Sequence, residues 1–138
     1  MLLPRGNGDV ACKVVNIDGV EARCLNLSNA PSGGVFPLSF EEAIDRLNEL
    51  ERMFIELDGS FVWISDANGR ESQIDGVLTD LNNAVINIEL KGFDYSCVDS
   101  LLMIFGWPDL SIVIHDIRRG LFFEEEDYRR FHRQLRRE

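Results

Sequence analysis

Along much of the chain apolar and polar side chains alternate residue by residue, the period of a half-buried strand. In three stretches the spacing widens to every third or fourth position, the period of a helix. Residues 10–17 and 20–27 alternate on either side of Asp18-Gly19, a dipeptide that accepts the positive φ of a two-residue hairpin turn. With that pair at the turn, Lys13 faces Cys24 and Cys12 faces Leu25. Cys12 and Cys24 then point to opposite sides of the ribbon. Pro31, Gly33, Gly34 and Pro37 predict a loop over residues 28–37. Ser39, with Glu42 three positions on, forms a capping box for a helix from about Phe40 to Glu51, with Phe40, Ala43, Ile44, Leu47 and Leu50 on its apolar stripe.

Strands follow at residues 53–58 and 61–65 around Asp58-Gly59-Ser60. A two-residue turn there puts Ile55, Leu57, Val62 and Ile64 on one face. Phe54, Glu56, Phe61 and Trp63 fall on the other. Asp66-Ala67-Asn68-Gly69 signals a second turn, and strands at 72–81 and 84–91 meet at Asn82-Asn83, a pair that tolerates positive φ. That register gathers Val77, Thr79, Leu81, Ile86, Ile88 and Leu90 on one face. Ser96, with Asp99 in the box position, starts a second helix with Val98, Leu101, Leu102 and Phe105 as its stripe, ended by Gly106 and Pro108. Residues 110–117 predict a buried strand, and a last helix runs from about Phe123 to Arg136, acidic at its start and arginine-rich later, as the helix dipole favours. The expected order is ββ-α-ββββ-α-β-α: an α+β fold on an antiparallel meander with about three helices, in one domain over residues 1–138, with 1–9 loosely ordered.

Charge changes the picture. The 138 residues carry a net charge of −10. Residues 1–117 hold seven Lys/Arg against nineteen Asp/Glu, while 118–138 hold seven against five. An acidic body repels nucleic acid and anionic lipid and favours a basic protein partner. No apolar run approaches the ~20 residues of a membrane span, and the N-terminus lacks the pattern of a secretory signal. A cytoplasmic location is expected, with no membrane contact. Three widely spaced cysteines, Cys12, Cys24 and Cys97, make neither a disulfide framework nor a zinc motif.

Candidate chemistry is sparse. His115-Asp116 resembles a fragment of a metal site, but neighbours on a strand point to opposite faces. Residues 66–71 have Arg70 and Glu71 where a calcium loop needs an oxygen ligand and a glycine. The glycines at 6, 8, 33 and 34 precede no Gly-Lys-Ser/Thr phosphate motif. Glu56 with Asp58, and Asp80 with Glu89, are acid pairs without a visible means of separating their pKa values. Cys97 at a helix start reads as a small packing residue. No catalytic residue, metal ligand or cofactor is therefore assigned.

The candidate binding residues are Phe54, Phe61 and Trp63, with Glu56 and Asp58 at their margin. Large aromatics on one sheet face need a cover, from the same chain or from a partner. The expected function is a non-catalytic interaction module, in a particular version a small bacterial protein that neutralises a basic partner such as a toxin's nuclease domain. The alternatives are a ligand-binding or enzymatic α+β domain with a pocket between sheet and helices, and a structural subunit of a homo-oligomer such as a homodimer.

Overall fold

The computed structural model describes residues 1–4, 12–25, 35–67, 70–92 and 98–136. Its strands are β1 (Leu2–Pro4), β2 (Cys12–Ile17), β3 (Val20–Leu25), β4 (Met53–Ile55), β5 (Ser60–Ala67), β6 (Arg70–Leu81), β7 (Ala84–Lys91), β8 (Ile112–Asp116) and β9 (Leu121–Glu124). Its helices are α1 (Phe40–Asn48), α2 (Asp99–Ile104) and α3 (Glu125–Arg136). The strands form one antiparallel sheet in the order β2-β3-β9-β8-β1-β7-β6-β5-β4. The fold is α+β, with the order βββ-α-ββββ-α-ββ-α.

Two strands depart from the expected order. Residues 2–4 are not loosely ordered: β1 sits mid-sheet, pairing Leu2 with Ile88 on one side and with Ile114 on the other. Three residues are too few to show a period, so the alternation rule has nothing to read. The other is β9, expected as the start of the last helix. Phe123 lies in β9 yet packs against Tyr128 and Phe131 of α3, at ring-centroid distances of 4.9 and 5.7 Å. It joins the helical stripe in space without joining the helix.

The first hairpin has the expected register, Lys13 opposite Cys24 and Cys12 opposite Leu25, with Asp18 and Gly19 both at positive φ. Cys12 is exposed and Cys24 buried, both as free thiols. The α1 capping box is present in both directions: Ser39 Oγ accepts from the Glu42 N–H, and Glu42 accepts from the Ser39 N–H. The stripe of α2 is also as expected, with Val98, Leu101, Leu102 and Phe105 fully buried. Ser96 and Cys97 lie outside the described residues, as do residues 5–11 and 26–34.

Two registers differ, and both differences carry over to function. Between β4 and β5 the loop is three residues, Leu57-Asp58-Gly59, because Ile55 pairs with Phe61 and the Glu56 N–H donates to the Ser60 carbonyl. Gly59 at φ 92° supplies the left-handed residue such a loop requires. One extra loop residue flips one strand's faces against the other's. Met53, Ile55, Phe61 and Trp63 therefore share a face, and Phe54 goes with Val62. Between β6 and β7 both asparagines take positive φ as expected, but a bulge follows: Asp80 pairs with Val85, whereas Thr79 pairs with Asn87. Leu78 then faces Ile88, so Ile74, Gly76 and Leu78 are the buried positions of β6, while Val77, Thr79 and Leu81 are exposed.

All three helices cover one face of this sheet. The main core joins Ala43 and Leu47 of α1, Leu101 and Leu102 of α2, and Tyr128 and Phe131 of α3 to inward residues from strands at both ends of the sheet. A smaller cluster of Leu3, Leu25 and Val113, with Phe122 against it, lies on the opposite face under β1, β3 and β8. The outer face of β4–β7 has no helix on it among the described residues.

Candidate functional site

The register differences decide what this outer face displays. Phe61 and Trp63 point into the core, and the Trp63 indole N–H donates to the Glu51 carbonyl at 3.2 Å. Phe54 points the other way and is 63% exposed. The expected aromatic trio therefore does not form one surface; the same chain covers two of its members. Phe54 is joined instead by Val62 and by Val77, which is 43% exposed. Leu57, at the tip of the β4–β5 loop, is 90% exposed.

Around these apolar groups sits a shallow depression of about 520 Å³, lined by Phe54, Glu56, Val62, Asp75, Val77 and Glu89, with Lys91 the only lining cation among the described residues. Glu56 and Glu89 make no ion pair among the described residues, and Asp75 accepts only from the Gln73 side-chain amide, at 3.0 Å. The contrast with the helical side is sharp. There Asp116 pairs with Arg119, Asp99 and Glu125 with Arg129, and Glu126 and Asp127 with Arg130. On the outer face of β4–β7 Glu71 pairs with Arg52 at 2.7 Å, while Glu56 and Glu89 make no ion pair among the described residues.

Asp58 belongs to the loop before it belongs to any surface. Its carboxylate accepts from the Ser60 hydroxyl at 2.6 Å and the Ser60 N–H at 2.9 Å, and those bonds hold its pKa below the ordinary value. Glu56 is exposed, and its side chain makes no ion pair among the described residues.

The other sequence candidates separate. His115 and Asp116 do point to opposite faces. The His115 ring stacks on Phe122 at 4.1 Å, its buried Nδ1 has no hydrogen-bond partner among the described residues, and burial lowers its pKa, aided by the nearby Met1 ammonium. Asp116, on the helix side, accepts from the Arg119 guanidinium at 2.7 Å, the Arg119 N–H at 3.1 Å and the Tyr128 hydroxyl at 3.2 Å. Burial alone would raise its pKa; the hydrogen bonds from Arg119 and Tyr128 win, and it lies below the ordinary carboxylate value. This network fastens α3 to β8. Asp80 accepts from the Asn83 N–H in its turn, and the bulge puts it out of phase with Glu89, so those acids form no pair. Asn68 and Gly69 lie outside the described residues.

Among the described residues no three His, Cys, Asp or Glu side chains are grouped to hold a metal ion, and no helix is long and apolar enough to cross a membrane. What the arrangement of β4–β7 can do is bind: it offers an apolar strip with acidic neighbours. Exposed Val77 and the bulge that exposes it were missed by sequence reasoning, since nothing in Val85-Ile86-Asn87 marks the extra residue. No family model, curated protein or solved structure matches the chain.

Proposed function

We propose that this protein is a non-catalytic interaction module that binds a basic protein through the uncovered face of β4–β7. One observation carries the reading: exposed Phe54 and Val77 lie together on a sheet face that, among the described residues, bears no helix and whose carboxylates Glu56 and Glu89 make no ion pair. A solvated antiparallel face usually shows polar side chains. An aromatic ring held there keeps apolar area in water, and covering it on binding recovers that cost. The unpaired acids bring partner choice and faster encounter more than affinity. Neutralisation of a basic toxin domain is one function such a module serves.

The test places a photo-crosslinking residue at Val77, and in a parallel protein at Met103, which is 60% exposed on α2 in the helical layer. Irradiation in the native host should trap one defined basic protein from position 77 and not from position 103. The same adducts from both positions, or none from position 77, would defeat the reading.

A further inference from the structure

The cross-strand register of the open face specifies the charge pattern of what fits it. Glu56 lies opposite Ser60, Ser60 opposite Val77, and Val77 opposite Glu89. These four residues form one row across four adjacent strands, with a carboxylate at each end and Ser60 and Val77 between. Three strand spacings of ~4.8 Å separate the ends by about 14 Å at the backbone. The neighbouring row, two residues along each strand, runs Phe54, Val62, Asp75, Lys91. Asp75 stands directly opposite Lys91, so its row contains a cation, although the two make no ion pair among the described residues. Among the described residues Glu56 has no cation opposite it, and Glu89 has none opposite it on β6. On its β1 side Glu89 faces Met1, whose ammonium group lies within electrostatic reach and donates to the His115 carbonyl at 2.9 Å, so Glu89 is partly balanced there and Glu56 is the less compensated of the two.

Resting on the reading of this face as a binding surface, we infer that its occupant is a protein segment presenting two cationic side chains about 14 Å apart, with an apolar group between them. The cations meet Glu56 and Glu89, and the apolar group covers Val77 and the Phe54 ring. Charge complementarity selects this occupant over a second copy of the chain. A two-fold contact through the same face would set each copy's Glu56, Asp75 and Glu89 against the other's, with only one lysine per copy to offset them.

Panning a phage-displayed library of random peptides against the full chain tests this before any natural partner is identified. Each enriched clone is measured again on Phe54→Ala and on the double variant Glu56→Gln/Glu89→Gln. These are solvent-facing changes, and the thermal midpoints of both variants should match that of the parent. The expected clones carry a pair of Arg or Lys flanking an apolar residue and lose roughly tenfold or more in affinity on both variants, about 1.4 kcal/mol. Clones that depend on Phe54 but not on the glutamates overturn the two-cation inference and leave the binding face standing. Clones indifferent to both variants, or no enriched clone at all, overturn both. A concentration-dependent dimer of the parent that Phe54→Ala dissolves would show that a second copy is the occupant after all.

Discussion

Gly76 is a glycine because of its neighbour across the strand. Phe61 pairs with it, and the Phe61 ring occupies the space a β-carbon at position 76 would need. A side chain there has to displace a ring packed in the core, the kind of overpacking that costs about 1–3 kcal/mol. Gly76→Ala should lower stability by that amount, read as a reduced urea midpoint; an unchanged midpoint would mean the ring moves aside freely. The same face assignment ranks three truncations. Trp63→Ala removes a buried indole and should cost ~3–5 kcal/mol, as much as Ile88→Ala at roughly 2–5 kcal/mol. Phe54→Ala removes an exposed ring and should change stability by less than about 0.5 kcal/mol. Equilibrium denaturation of the three variants checks the order. Equal costs for Phe54→Ala and Trp63→Ala would return both rings to one face and undo the three-residue loop. None of this was legible in the composition of the strands: the aromatic residues are the same in either register, and only the loop length between them decides which are buried.

At the level of elements, legibility followed how locally each one is specified. The α1 start depends on two side chains bonding backbone groups three residues apart, so Ser39 and Glu42 declared it. The β2–β3 register depends on two turn residues, and Asp18-Gly19 declared that. The β6–β7 register depends on a bulge that local composition does not mark, and β1 on partners at positions 88 and 114, far beyond any sequence window. The attachment of α3 is likewise non-local, since Asp116 of β8 is held by Arg119 in the turn and by Tyr128 on the helix. Its folded pKa lies below the value of about 4 expected in the unfolded chain. The unfolded chain therefore binds this proton more readily, and the stabilisation is present above that pH and lost as pH falls through the lower folded value. Asp116→Asn should thus flatten the acid limb of the stability–pH curve while leaving a destabilised but pH-insensitive neutral region. Tyr128→Phe should cost about 1 kcal/mol by removing one donor. An acid limb as steep in Asp116→Asn as in the parent would place the titration on other carboxylates.

Over the whole molecule the charges are segregated. The arginines of the last 21 residues tempt a nucleic-acid reading, but three of the six described ones are engaged: Arg119 with Asp116, Arg129 with Asp99 and Glu125, and Arg130 with Glu126 and Asp127. Releasing them to phosphate would leave those carboxylates without their cations. Beyond this helix the chain carries an excess of acids, and the net charge is −10. Salt gives a way to separate the two scales. At ~0.1 M ionic strength the screening length is about 10 Å, so a phosphate near α3 senses mainly the local arginines and the carboxylates paired with three of them. At ~0.01 M it is about 30 Å, and the repulsion of the acidic body reaches across the molecule. A basic patch that truly binds phosphate gains steeply as salt falls, because it releases counterions. This protein should instead show no binding to short duplex DNA or single-stranded RNA at either ionic strength, read by fluorescence anisotropy of labelled oligonucleotides. A signal that grows as salt is lowered would mean that the α3 arginines are free enough to outweigh the rest of the chain, and would move the search for a partner from the open sheet face to the helix.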